Sequence, residues 1–212
     1  MEKSDVTLIL DTLAVLFPKT HSFLNYTKDY ELLFATVLSA QATDESVNEA
    51  TAVLFKDFPT LESYTPDQEV KIYEDVKRLG LGKTKSLHLV ATAQILNETY
   101  HGVLPKDRLT LMSLPGVGYK ISGVVLATLY GFPYIPVDTH VQRVSLRLGL
   151  VKKTSQPEET EKSLEKLFGA ASGIELHHRL ILFGRNICQA RKPACASCPL
   201  ADICRYHRHQ KS

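Results

Sequence analysis

The stretch from Ser113 to His140, SLPGVGYKISGVVLATLYGFPYIPVDTH, constrains the fold more than any other part of the chain. Between Tyr119 and Tyr130 its only charge is Lys120, so the run belongs in a core, and its length suits a helix. Before it comes a turn, Leu114-Pro115-Gly116-Val117-Gly118; after it, a loop over 131–137 with two prolines delivers Asp138 to another helical pattern. Glycine admits positive φ and leaves the backbone N–H groups bare. A helix beginning just past such a turn aims its unpaired N–H groups and positive dipole end at the same spot. The result is an anion site that fits a nucleic-acid phosphate, although the same five residues also serve as a plain helix–turn–helix corner.

Lys120 sharpens this reading. In the first helical turn the dipole disfavours a cation, and apolar residues follow at once, which together favour the neutral amine, the nucleophilic form. Taken alone, Lys120 reads first as a surface lysine snorkelling off a buried helix. Asp138, in Val137-Asp138-Thr139-His140-Val141, reads as an N-cap, and a capping carboxylate suits stabilising positive charge better than donating a proton. A helix over 119–130 rises about 18 Å. The seven residues 131–137 span up to about 24 Å, so the chain has length enough to return Asp138 toward Lys120.

The rest of the chain shows no internal repeat and almost no period-two alternation; its patterns are helical. Helices are expected over 4–17, amphipathic with Leu8, Leu13 and Leu16 among its apolar positions, and over 29–40, which is apolar enough to be core. Others are expected from Thr43 or Asp44 to about Phe55, from a Thr65–Gln68 capping box to about Lys77, and over 84–100, 107–112, 139–149, 157–168 and 173–183. Gln41 falls in the corner Ser39-Ala40-Gln41-Ala42-Thr43-Asp44, and Leu81 forms the tip of Leu79-Gly80-Leu81-Gly82, with Lys83 and Lys85 beside it as candidate phosphate contacts. His177 and His178, as adjacent residues, read as packing or surface groups.

The formal charge of +2 is no evidence for a nucleic-acid partner. Its distribution is more telling. From residue 185 onward, six Lys/Arg stand against Asp202, giving +5 and leaving −3 for the residues before. The N-terminal apolar stretch is short and broken by Asp11, and 121–137 is too short for a bilayer and contains Pro133 and Pro136. A soluble, cytoplasmic protein is expected. All four cysteines, Cys188, Cys195, Cys198 and Cys204, lie within one short segment spaced C-x6-C-x2-C-x5-C, which is a metal-ligand set and not a disulfide framework. Four thiolates suit zinc or an iron–sulfur cluster.

The Leu-Pro-Gly-Val-Gly hairpin, the lysine two residues on and the Gly/Pro loop ending in Val-Asp-Thr-His resemble the helix–hairpin–helix DNA glycosylases. Within that superfamily the chain resembles the endonuclease III family, whose motif usually has Arg before the lysine and Thr-Ala after it; here Tyr119, Ile121 and Ser122 stand there. The resemblance implies an all-α protein of two helical domains with a DNA-binding cleft between them. One domain would be 22–132, with the hairpin; the other would be a discontinuous cluster domain, 1–21 plus 133–212. Lys120 and Asp138 would be catalytic. Gln41 would fill the gap left by an extruded base, and Leu81 would wedge into the helix. Gly116, Gly118, His140, Arg191 and Lys192 would contact DNA. The four cysteines would carry a [4Fe–4S] cluster, with zinc as the alternative. The implied activity is a bifunctional glycosylase and abasic-site lyase acting, as a monomer, on oxidised pyrimidines in double-stranded DNA. The rivals are a monofunctional adenine mismatch glycosylase, which generally lacks the lysine and carries a further domain, and a non-catalytic hairpin module.

Overall fold

The computed structural model describes residues 3–152, 155–169 and 173–210, with no strand among them. It divides into two compact units, residues 22–130 and residues 1–21 with 131–212.

The first unit is built round α2 (Asp29–Leu38), every residue of which from Tyr30 to Leu38 is buried. A helix apolar on all sides needs partners on all sides. α3 (Asp44–Asp57), α5 (Gly82–Tyr100) and α7 (Tyr119–Tyr130) supply them, while α4 (Glu69–Val76) lies on α3 and α5. The one acid among those buried residues, Glu31, is satisfied locally: its carboxylate accepts from the backbone N–H of Thr27 and Lys28 at 2.7 and 3.1 Å, and from the Thr27 hydroxyl at 2.8 Å. Phe34 and Tyr64 meet edge to face, ring centroids 4.9 Å apart, and close the end of this core with Phe58 and Tyr30. α6 (Arg108–Met112) is capped by Asp107, which accepts from Thr110 N–H at 2.8 Å, and packs on α7 across the hairpin.

Three expectations need correction. The Thr65–Gln68 capping box does not form: the chain there is a short 3-10 turn, Thr65 makes no side-chain cap, and the Gln68 amide donates to Asp67 instead. On α1 (Lys3–Leu16) the inward positions are Ile9 and Leu13, both fully buried, while Leu8 and Leu16 are 45% and 37% exposed. The helix that begins at Gly173 continues past Phe183 to Asn186, because Phe183 and Gly184 are themselves buried against a neighbouring helix.

In the second unit α8 (Thr139–Leu148) carries the packing. It lies against α10 (Gly173–Asn186), α9 (Pro157–Phe168) and α11 (Arg205–Gln210), and α1 lies on α10. Gly184 on α10 lets α8 approach closely, because a Cβ there would lie 3.0 Å from His140 Cβ. The short α11 has no counterpart among the helices expected from the sequence. His177 and His178 are both buried, and His177 Nδ1 lies 2.6 Å from the Pro136 carbonyl. They are packing groups, as read from the sequence.

Burial, reinforced by the nearby charge of His21, pushes the His178 pKa down to about 4 from 6.5. Between those values the unfolded chain binds a proton that the folded chain refuses. Stability should therefore be intact above pH 6.5 and fall as pH drops toward 4, by up to about 1.4 kcal/mol per pH unit. Urea titrations at pH 7 and pH 5 check this. His178→Leu should flatten the slope, whereas an unchanged slope would assign the loss to other groups.

Candidate active site

The hairpin before α7 is held from below. The Thr92 hydroxyl donates to the Pro115 carbonyl at 3.2 Å, and Val117 N–H donates to Leu114 O at 3.1 Å. The two glycines act differently. Gly116 has φ +78°, and a Cβ there would meet His88 Nδ1 at 2.6 Å and Val37 Cγ1 at 3.1 Å. Gly118 has no positive φ, and a Cβ there would meet nothing within 4 Å. The first glycine is needed to form the turn; the second only keeps the outer surface bare.

Lys120 is the second residue of α7, half-buried, and among the described residues no hydrogen bond or ion pair holds its amine. The residues that depart from the usual motif make their own structure beside it. The Arg108 guanidinium lies 3.7 Å above the Tyr119 ring and donates to the Tyr119 carbonyl at 3.2 Å, and the buried Ser122 hydroxyl donates to the same carbonyl at 2.8 Å. Tyr119 and Ser122 thus brace the first turn of α7 on either side of Lys120.

Two exposed tips belong to the same unit. Gln41 (φ +55°) and Leu81 (φ +56°) both have left-handed backbone, costing about 1–2 kcal/mol for a residue with a Cβ. Both side chains point outward, Leu81 being 58% exposed. Strain of this kind clusters at functional positions. Gly82 makes the Leu81 turn tight, since a Cβ there would sit 2.8 Å from Lys77 Cα. Lys83 is exposed, as a phosphate contact requires. Lys85 is not: it is 3% exposed, its ammonium donates to the carbonyls of Ala40 (2.8 Å) and Leu79 (2.5 Å), and burial lowers its pKa. The expectation that Lys85 touches phosphate is therefore wrong, because the α5 face that carries it packs inward.

In the other unit Asp138 caps α8 as expected, with Oδ1 accepting from Val141 N–H at 2.8 Å. His140, one residue into α8, is half-buried with Nδ1 3.1 Å from Arg143 Nη2. Arg143 and Arg147, two basic residues on one face of this helix, hold the cysteine segment. Arg143 donates to the carbonyls of Gly184 (2.9 Å) and Cys188 (3.0 Å). Arg147 donates to those of Gln189 (2.7 Å) and Ala190 (3.0 Å), and its Nη1 lies 3.5 Å from Cys188 Sγ. Sequence reasoning missed this role, and the i, i+4 spacing of the two arginines was the signal available for it. Arg191 and Lys192 lie exposed on the loop so held, Lys192 at φ +53°.

All four cysteines are free thiols lining one cavity of about 330 Å³, counted out to solvent, with Leu148 and Phe183 among its walls. The four cysteines line this cavity together with apolar side chains, among them Ile187, Pro193 and Ala194. Burial first, then repulsion from Cys188 and Cys204, pushes the Cys195 thiol up; burial also leads for Cys198. Bound cations reverse that penalty, since a coordinating thiol is deprotonated outright. An apolar cavity ringed by four sulfurs fits a [4Fe–4S] cluster better than a single zinc.

The hairpin, the capped aspartate and the cysteine cage together define a class, the base-excision repair proteins of the helix–hairpin–helix type. The HhH-GPD superfamily of base excision DNA repair proteins matches residues 34–170, and the iron–sulfur binding domain of endonuclease III matches residues 188–204. Endonuclease III of Escherichia coli is 41% identical over 208 residues, covering 97% of either chain. That of Bacillus subtilis is 38% identical over 200 residues, 94% of this chain and 91% of the other. A solved structure of a trapped endonuclease III–DNA covalent intermediate, an estranged-adenine complex, superposes with a TM-score of 0.94 at 39% identity, covering 100% of each chain. The chain belongs to the endonuclease III family.

The glycines separate shape from contact. Gly116→Ala adds a left-handed penalty to a clash and should cost about 2 kcal/mol or more. Gly118→Ala meets neither and should stay within about 0.5 kcal/mol of the parent. Urea unfolding of the two variants checks the difference; equal losses would mean that Gly118 also shapes the turn.

Proposed function

We propose that this chain removes oxidised pyrimidines from duplex DNA as a bifunctional glycosylase, with Lys120 as nucleophile and abasic-site lyase. The observation that carries the proposal is Lys120 itself: an unheld amine in the first turn of α7, directly behind a hairpin that leaves Gly118 bare. The covalent endonuclease III–DNA intermediate trapped in a similar protein supports it.

The hairpin N–H groups take a backbone phosphate, with Gly116 giving the turn its shape and Gly118 letting the phosphate approach. A base must leave the stack before its sugar carbon is reached. Gln41 and Leu81 occupy the vacated space, and His140 assists beside the aspartate. Lys120 Nζ then attacks C1′, and the C1′–N bond breaks with its electron pair leaving on the base. Asp138 stabilises the positive charge that develops on the sugar and accepts the amine's proton. Opening of the sugar at the C1′–O4′ bond gives a protonated Schiff base. Loss of a C2′ proton then expels the 3′ phosphate by β-elimination, which nicks the strand, and water hydrolyses the imine to restore Lys120.

Cys188, Cys195, Cys198 and Cys204 would hold the [4Fe–4S] cluster. Its contribution when bound is a structural cross-link, with thiolate–iron bonds fixing a loop that has little core of its own. Arg191 and Lys192 on that loop bind phosphate. We take 22–132 and 1–21 plus 133–212 as the domains, the protein as a monomer, and the cytoplasm, at the nucleoid, as its place of action. No helix among the described residues is long and apolar enough to cross a membrane.

Borohydride should trap a covalent protein–DNA adduct on duplexes carrying an abasic site or an oxidised pyrimidine, and Lys120→Gln should abolish it. Asp138→Asn should slow base release by about a hundredfold while leaving the cap able to form. Base release without an adduct from the parent protein would indicate the monofunctional adenine-glycosylase reading, and neither product would indicate a binding module. The purified protein should be yellow-brown and bleach on oxidation; a colourless protein with one zinc per chain would overturn the cluster.

A further inference from the structure

The Gln41 corner and the Leu81 turn are joined by one buried ammonium. Lys85 reaches back 45 residues to the carbonyl of Ala40, immediately before Gln41. It also reaches the carbonyl of Leu79, two residues before Leu81. We propose that Lys85 is a positioning residue that locks these two tips in a fixed relation, so that the Gln41 and Leu81 side chains enter the base stack as one unit. This rests on the reading of those two side chains as the groups that fill the space of an extruded base.

Three observations carry the proposal. Lys85 is 3% exposed and among the described residues pairs with no carboxylate, so its acceptors are neutral. A buried cation with only neutral acceptors is a poor device for stability, because an apolar side chain of similar volume avoids the desolvation cost. What such a cation does supply is direction, since an ammonium bridging two carbonyls fixes the distance between the two backbones. Next, both tips have left-handed backbone at residues other than glycine, φ +55° and +56°, so each would relax if it were not held. Finally, Leu81 is the N-terminal flanking residue of α5 and Lys85 N–H donates to its carbonyl at 3.0 Å. Backbone and side chain of Lys85 therefore hold the same turn from two directions.

The test measures single-turnover base release on a duplex carrying one oxidised pyrimidine. It also measures the fluorescence of 2-aminopurine placed opposite a stable abasic-site analogue, which reports unstacking. Lys85→Met keeps the side-chain length and removes the donors. It should slow base release and weaken the fluorescence change by about tenfold to a hundredfold, the scale on which misplacement of about an ångström acts. Binding of an undamaged duplex should stay within about twofold, since that is a phosphate property. In a Gln41→Ala/Leu81→Ala background Lys85→Met should change release by less than about twofold, because the groups it acts through are gone.

Equal weakening on damaged and undamaged duplexes, or a full multiplicative loss in that background, would overturn the proposal and leave Lys85 a core group. So would a slow Gln41→Ala/Leu81→Ala protein beside a normal Lys85→Met protein. A normal Gln41→Ala/Leu81→Ala protein would remove the reading of the tips themselves, and the proposal with it. Should Lys85→Met not fold, amide exchange on the unaltered protein decides. Ala42 and Leu79, whose N–H groups bond within their own turns at 3.2 and 2.9 Å, should open with matched protection. Independent opening would overturn the link.

Discussion

Cations paired with backbone carbonyls hold the irregular parts of this protein. Lys85 bridges Ala40 and Leu79, Arg108 takes Tyr119, Arg143 takes Gly184 and Cys188, and Arg147 takes Gln189 and Ala190. Arg205 takes Leu146 and Arg179 takes Phe17 in the same way. A carbonyl oxygen satisfies an N–H donor without cancelling its charge, as a carboxylate would. Where no carboxylate is paired as well, as for Lys85 and Arg147 among the described residues, the contact fixes a loop and leaves the positive charge beside it uncancelled. For a protein whose partner is a polyanion, that is a more useful bond than a salt bridge, whose net field falls off quickly and whose stability contribution at a surface is about 0–1 kcal/mol.

The same preference explains which parts of the structure were legible in the sequence. The helices were readable because they answer to local rules. The uncharged run 119–130 had to be buried, and α2 is apolar on all sides. Asp107, Thr43 and Asp138 cap as their residue types suggest. The Asp138 cap and the cavity lined by all four cysteines followed from type and spacing alone. Lys85 and Arg147 were not legible in this way. Their acceptors include backbone atoms more than forty residues distant, and a carbonyl has no residue type to recognise. Lys85 was misread for a related reason: a lysine beside a turn is usually solvated, and only the packing of α5 on α2 and α4 turns its stem inward.

Local rules also failed where two of them competed. Thr65-Pro66-Asp67-Gln68 has the composition of a capping box, yet the proline-led turn tightens to 3-10 and Gln68 bonds its own neighbour. Short polar side chains offer the backbone several near-equal partners, and a four-residue pattern does not rank them. Gly118 is the reverse case. Its identity suggested a conformational need, but its φ is ordinary and the space around it empty. Such a glycine contributes nothing to the fold that alanine would not, so its value has to lie in what approaches from outside.

The cysteine segment depends most heavily on carbonyl-bound cations. Between Ile187 and Cys204 only Leu200 and Cys204 are buried, and the regular structure is one 3-10 turn. A stretch with so little apolar burial does not offset the entropy of being ordered, and short segments of this kind need a cross-link. Arg143 and Arg147 anchor its first residues to α8, and Cys204 Sγ lies 3.3 Å from the Arg147 carbonyl. Those contacts reach the two ends of the segment. The middle, Gln189 to Ala194, carries Arg191 and Lys192 outward, the latter in left-handed backbone that costs energy to hold. Sulfur–iron bonds at Cys188 and Cys195, on either side of that loop, are what would give it a definite shape. The arginines place the segment on α8, and a bound cluster would decide where its positive tip points.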